Sequence, residues 1–280
     1  MRPRVQNGAG VASVPHTKRL GGLPRRFARA LDARIVFLHV PKCGGNSVRL
    51  ALRDAYRGPF SGGSRHRMHV SPEGSRRAAE SLGVPVDAFR DALLRYHLAE
   101  SKQRLFTGHF AWPEGLQGEF PDVSLVTLLR DPVAHFLSCY YDARERGRTD
   151  ESLEVFLEGQ HARRLGARFV RAFAGPAARD VEGDAAQEAA RERLASVTVL
   201  GLLEDLPGFV ADFERRFGVR LRLPHANAGR LRRRAEPEEL TDSLRARIRE
   251  RVAPNQALYD FATLEIARRR DAAAHTRRHP

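Results

Sequence analysis

Lysine is almost missing from this 280-residue chain. Lys18, Lys42 and Lys102 stand alone, and the other 45 of its 48 basic residues are arginine. The bias speaks more of coding composition than of mechanism, yet it makes any lysine inside a motif conspicuous. Cysteine is scarce as well. Cys43 and Cys139 cannot build a disulfide framework, so the simple reading is a reduced, intracellular chain. No run of 18 apolar residues offers a membrane-spanning helix, and the N-terminus lacks the apolar core of a secretory signal. A cytoplasmic location is therefore expected. No paired carboxylates and no His/Cys spacing specify a metal. No zinc-finger spacing or interleaved aromatic platform marks a specific nucleic-acid binder. No internal repeat is present.

What the chain does have is a core. Hydrophobic residues make up 42%, an ordinary value for a globular protein, which excludes wholesale disorder. The formal net charge is +14, and half of it falls in residues 1–34, which hold eight basic residues and one acid. This Gly-, Pro- and Arg-rich stretch reads as a flexible basic tail. Its expected contact with an anionic membrane surface is at most weak and peripheral. Residues 35–270 read as one domain with a variable segment at 58–100, and residues 271–280 as a C-terminal tail.

Periodicity gives an α/β order. Ile35-Val36-Phe37-Leu38-His39-Val40 is a short β-branched apolar run and reads as a buried strand. Pro41-Lys42-Cys43-Gly44-Gly45 is a turn. Asn46 or Ser47 can cap a following helix that runs to about Tyr56. Residues 58–75 read as loop. A helix is predicted over Val86–Glu100 with Phe89, Leu93 and Tyr96 on one face. Strands are predicted at 105–107, 123–129 and 197–202. Helices are predicted from Asp131-Pro132 to about Arg146, and over 151–173, 184–195, 206–217, 237–251 and 254–269. Strands separated by helices imply a mostly parallel central sheet flanked by helices.

The turn at 41–47 carries the chemistry. A strand that ends in Pro-Lys-Cys-Gly-Gly-Asn-Ser and enters a helix sets unpaired N–H groups, a mobile ammonium and a hydroxyl around one point, which suits phosphate. It is not a standard G-x-x-x-x-G-K-S/T loop, because Lys42 precedes the glycines. Two further segments stand out. Leu129-Arg130-Asp131-Pro132 puts a guanidinium fork at a strand end, with Ser138 eight residues on. Thr107-Gly108-His109 puts an imidazole at another strand end, where a neutral ring can take a hydroxyl proton.

Phe37 to Ser47 resembles the phosphosulfate loop of the sulfotransferases that use 3′-phosphoadenosine 5′-phosphosulfate (PAPS), in the branch of heparan sulfate 2-O-sulfotransferase and its bacterial relatives. The resemblance implies a P-loop-like sulfotransferase fold. It gives Lys42, Cys43, Gly44, Gly45, Asn46 and Ser47 the phosphosulfate, and makes Lys42 the stabiliser of the departing phosphate. Arg130-Asp131-Pro132 with Ser138 is similar to the family's 3′-phosphate segment, so Arg130 and Ser138 inherit that role. Gly108-His109-Phe110 is similar to the segment carrying the catalytic base, which falls on His109. His39 would orient the loop. His66 and His69 face either acceptor or solvent.

Asn227 and the run with Arg230, Arg232 and Arg233 resemble a basic cover over the nucleotide. Tyr259 resembles the terminal-helix signature, with Asn255 where the family commonly has Asp. Arg171 and Gly175 fit another family segment whose amides are absent here. Glu204 and Asp205 read as capping and salt-bridging acids.

The implied activity is sulfuryl transfer from PAPS to a hydroxyl of a carbohydrate, glycolipid or small metabolite. The product would be 3′-phosphoadenosine 5′-phosphate (PAP), and no metal is required. The rivals are a nucleotide-dependent phosphotransferase and a non-catalytic anion- or glycan-binding module.

Overall fold

The computed structural model describes residues 33–56, 67–100, 102–175, 178, 180–223 and 240–278. His66, Asn227, Arg230, Arg232 and Arg233 lie outside them, as do residues 1–32.

Five strands form one parallel sheet: β1 (Arg34–Leu38), β2 (Arg67–His69), β3 (Leu105–Gly108), β4 (Val123–Leu129) and β5 (Val199–Leu202), in the order β2-β3-β1-β4-β5. The arrangement is a mostly helical, Rossmann-like α/β fold, with helices on both faces of the sheet. Alternation along β1 explains the two faces. Ile35 and Phe37 join α1 (Gly45–Ala55) and α10 (Leu206–Phe217) in one core. Val36 and Leu38 point the other way. Their core also takes α3 (Val86–Glu100), α8 (Arg168–Ala174), α9 (Asp184–Ser196) and α12 (Ala253–Arg278). A third cluster joins α5 (Pro132–Glu145), α6 (Leu153–Glu158), α7 (Gln160–Gly166) and α11 (Asp242–Arg251). The remaining helices are α2 (Pro72–Ser81) and α4 (Leu116–Glu119).

The chain leaves β1 towards β2 and leaves β4 towards β5 on the opposite side. In an open parallel sheet, ligands bind beyond the carboxyl ends of the strands, where such connections part. Here that place lies between the end of β1 and the end of β4.

Several sequence expectations change. The residues read as loop contain β2 and the start of α2. Three residues are too few for an alternation to show. The start of α2 had a signature in Ser71-Pro72, where the Ser71 hydroxyl accepts from Gly74 N–H. Helix α1 begins at Gly45 after a left-handed Gly44, with no side-chain cap from Asn46 or Ser47. The buried residues of α3 are Leu94 and Leu98, while Tyr96 is 61% exposed. The long helix predicted over 151–173 is broken into α6, α7 and α8. The last helix continues to Arg278.

The break between α7 and α8 has a fastener. Asn255, fully buried at the start of α12, accepts from Phe169 N–H at 2.8 Å and donates to the Leu165 carbonyl at 2.8 Å. Asn255→Ala should leave the buried Phe169 N–H unpaired and take one of two donors from the Leu165 carbonyl, costing about 1–3 kcal/mol. Urea unfolding measures this. A loss well under 1 kcal/mol would show that the junction is held elsewhere.

Candidate functional site

The loop after β1 is held by its own carbonyls. The Pro41 carbonyl accepts from His135 Nε2–H at 3.1 Å, and the Lys42 carbonyl accepts from Arg130 Nη1–H at 3.2 Å. A carbonyl can only accept, so the proton of neutral His135 sits on Nε2. Lys42 is the one non-glycine residue with positive φ among the described residues, at 66°. That conformation costs of order 1 kcal/mol or more and persists only when its surroundings enforce it. The backbone N–H groups of Gly44, Gly45 and Asn46 have no acceptor among the described residues. They open the N-terminus of α1, the positive end of its dipole.

Two glycines are required by close approach. Gly44 has φ 75°, and a Cβ there would lie 2.5 Å from Leu203 Cδ1. A Cβ on Gly45 would lie 2.0 Å from the ring of His39. His39 is thus pressed directly on the loop. Its ring also stacks on Phe37 and meets His109 edge-on, with centroids 4.7 Å apart. Through this contact the structure brings His109 beside the 41–47 loop.

His109 leaves β3 half-buried, and its ring nitrogens have no hydrogen-bond partner among the described residues. Its carbonyl accepts from Arg90 Nη1–H at 3.1 Å, and Arg90 also holds Ser75 Oγ and the Pro72 carbonyl. Burial, with help from Arg90, His69 and Arg168, lowers the pKa of His109 to about 4. Burial, and then the neighbouring His109 and Arg49, lowers His39 to about 3. Both rings are neutral at physiological pH, the form that accepts a proton. His69 closes the row at the end of β2, its Nδ1 2.9 Å from Thr107 Oγ1.

The far wall is α5, capped by Asp131, whose carboxylate accepts from Ala134 N–H. His135, Ser138, Cys139 and Asp142 share one face of this helix by their spacing. His135 reaches Pro41, and Asp142 pairs with Lys42 Nζ at 3.0 Å. Ser138 is half-buried on that face. Burial pushes the thiols of Cys43 and Cys139 up, so neither is a ready thiolate. Tyr140 is fully buried and bonds the Glu151 carbonyl, so it packs the helix rather than bordering a ligand. Glu204 accepts from Asp131 N–H and Tyr259 O–H, tying the ends of β4 and β5 to α12. Asp205 caps α10 and pairs with Arg270, as expected.

Sequence reasoning missed four residues of this neighbourhood besides Arg90. His135 and Asp142 were findable, since their spacing after Asp131-Pro132 sets them on the face that holds Ser138. Arg49 and Arg168 carried no signal. Both are half-buried, and neither has a hydrogen-bond or ion-pair partner among the described residues. Arg171, which the sequence favoured, is exposed. Beyond Arg130, a cleft of about 440 Å³ is lined by Asp131, Val133, Arg245, Arg249 and Gln256.

Among the described residues no group of three or more His, Cys, Asp or Glu is placed to hold a metal ion. None of the described helices is long and apolar enough to cross a membrane. No protein-family model matches this sequence, and no curated protein is significantly similar to it.

The arrangement has a pH signature. His39, His109 and His135 all have folded pKa values below the unfolded one, His135 at about 3 through burial and then Arg168. A depressed pKa gives stability that is present in full above the unfolded value and lost as pH falls towards the folded one. Unfolding free energy should therefore decline from about pH 6.5 downwards, before most carboxylates titrate. Urea midpoints across this range, with imidazole resonances followed by NMR, test it. Three histidines that titrate near pH 6.5 would refute the neutral cluster.

Proposed function

We propose that this chain is a PAPS-dependent O-sulfotransferase with a P-loop-like sulfotransferase fold. One observation carries the reading: His109, neutral and with ring nitrogens unbonded among the described residues, stands one ring away from the Lys42-bearing loop whose N–H groups at 44–46 have no acceptor among those residues. Base and anion cradle are separated by the width of His39, which rests on Gly45. The residues fit the donor nucleotide. Arg130 spends one N–H on the Lys42 carbonyl and keeps the rest of its fork unbonded among the described residues. It adjoins a cleft to which α11 adds Arg245 and Arg249.

PAPS supplies an activated sulfuryl group. The acceptor hydroxyl oxygen forms a bond to sulfur while the bond from sulfur to the bridging phosphate oxygen breaks. The electron pair leaves with the nucleotide as PAP, and the hydroxyl proton passes to His109. The loop N–H groups and Lys42 stabilise charge growing on the departing phosphate, which needs positioning and electrostatics rather than a covalent intermediate. Lys42 must first leave Asp142, and a single flexible ammonium can do so. Ser138 and Arg130 take the 3′-phosphate on this reading.

Calorimetry should find tight binding of PAP and much weaker binding of the nucleotide lacking the 3′-phosphate. Arg130→Ala should remove most of that preference, because a charge-assisted fork is lost. Equal affinity of the wild type for both nucleotides would overturn the assigned pocket.

His109→Ala should keep PAP affinity and lose transfer to an acceptor hydroxyl by about 10²–10⁴-fold, the usual worth of positioned proton transfer. Labelled PAPS with a library of hydroxyl acceptors, read by mass spectrometry, supplies the assay. Parental transfer by a folded His109→Ala variant would remove His109 as the base.

A further inference from the structure

His109 stands where the sheet has already ended. The ladder of β3 with β1 stops at Gly108 opposite Leu38, and that with β2 at Thr107 opposite His69. The Gly108 carbonyl still accepts from His39 N–H at 3.0 Å, one residue past β1. The His109 carbonyl accepts from Arg90 Nη1–H at 3.1 Å, its one donor among the described residues. Peptide units are planar, so a bond to the carbonyl on each side of His109 restrains both of its backbone torsions. Those torsions set the direction in which the ring leaves the chain.

Arg90 is itself anchored. It stands in the second turn of α3, and its side chain is 12% exposed, with Asp87 3.8 Å from Nη1. Its Nε–H donates to Ser75 Oγ at 2.9 Å and its Nη2–H to the Pro72 carbonyl at 3.2 Å, both in the first turn of α2. The Ser75 hydroxyl donates to the same Pro72 carbonyl at 3.2 Å. One fork thus joins α3, the start of α2 and the backbone of the base. A rigid guanidinium holds three acceptors in a set geometry, which an ammonium on a flexible stem does less well.

We propose that Arg90 is a positioning residue for proton transfer, whose fork fixes the backbone of His109 and makes the base one rigid unit with the α2–α3 layer. The inference rests on the proposed sulfotransferase reading and deepens it, because it says what aims the base at the acceptor hydroxyl. The charge of Arg90 has a second effect. The charged and titratable groups acting on His109 are His39 after β1, His69 of β2, Arg90 of α3 and Arg168 of α8. After burial, Arg90 contributes most to keeping the ring neutral.

Geometry and charge can be separated by substitution. Arg90→Met removes both. It should lower kcat by about 10²-fold, the scale of a base displaced by about 1 Å, with acceptor KM and PAP affinity close to parental. In the free variant the imidazole of His109, followed by NMR, should titrate at higher pH than in the wild type, because a neighbouring cation is gone. Arg90→Lys returns the charge without the fork. It should bring the titration back towards parental and recover only part of the rate. Ser75→Ala keeps the charge and two of the three anchors. It should slow turnover less and leave the titration in place, and it carries the test with Arg90→Lys if Arg90→Met does not fold.

Parental kcat in folded Arg90→Met, or unchanged titration of its His109, would overturn the proposal. Full recovery of rate by Arg90→Lys would also overturn it, since charge alone would then suffice. A raised acceptor KM at parental kcat would make Arg90 an acceptor contact instead. Weakened PAP binding in proportion to the rate loss would make its role general to the fold. A wild-type protein that neither binds PAP nor transfers sulfate would overturn the sulfotransferase reading itself, and this proposal with it.

Discussion

Two consecutive carbonyls, those of Pro41 and Lys42, decide the geometry of the site. Each is taken by an N–H-donating side chain from the β4–α5 segment: neutral His135 holds the first, and Arg130 the second. With those carbonyls drawn towards α5, Lys42 adopts a backbone conformation that it would not hold alone, and the N–H groups of residues 44–46 are left without acceptors among the described residues. Parallel pairing makes this possible. Strand β1 lies in register with β4, Leu38 opposite Thr127, so the loop after one strand and the helix after the other leave the sheet side by side. Thr127 Oγ1 donates to the Leu38 carbonyl at 2.8 Å just below, which keeps the two ends level.

The same junction sets the electrostatics. Arg49, Arg130 and Arg168 all stand near the carboxyl edge of the sheet without a carboxylate partner among the described residues, while His39, His109 and His135 are kept neutral by burial and by these cations. The nearby acids are already committed. Asp142 serves Lys42, Arg146 and Arg148, and Glu204 serves Asp131 and Tyr259. The result is a surplus of positive charge that the described residues do not neutralise. Any anion that enters offsets it, and offsetting it raises the proton affinity of His109 towards the range where a base works best. On the proposed reading, ligand binding and base strength are coupled through the same arginines.

The strands β1, β3, β4 and β5 were legible because each is a short apolar run bounded by turn residues, and parallel strands buried on both faces give that pattern. The loop, His109 and Arg130 were legible for a related reason: they sit where such runs end. What escaped the sequence was whatever depends on contacts across the sheet. β2 is a strand only because Arg67–His69 pairs with Leu105–Thr107, and three residues have no period of their own. The break between α7 and α8 depends on Asn255, about 90 residues away in sequence. Arg168 gave no signal among 45 arginines, since its lack of a partner among the described residues is visible only in three dimensions.

The scarcity of lysine takes on a physical sense at position 42. An arginine there would meet Asp142 with two parallel hydrogen bonds, and a bidentate pair in partial burial resists separation. The ammonium of Lys42 makes one contact of 3.0 Å to one carboxylate oxygen, and Asp142 has Arg146 and Arg148 to satisfy it when that contact opens. The carboxylate can therefore lose Lys42 without being stranded. Where the proposed chemistry needs a fixed planar donor, the chain offers Arg130 at the end of β4, one N–H of its fork on the Lys42 carbonyl. Where it needs a cation that travels with a departing phosphate, it offers one of its three lysines on a strained backbone with a replaceable tether.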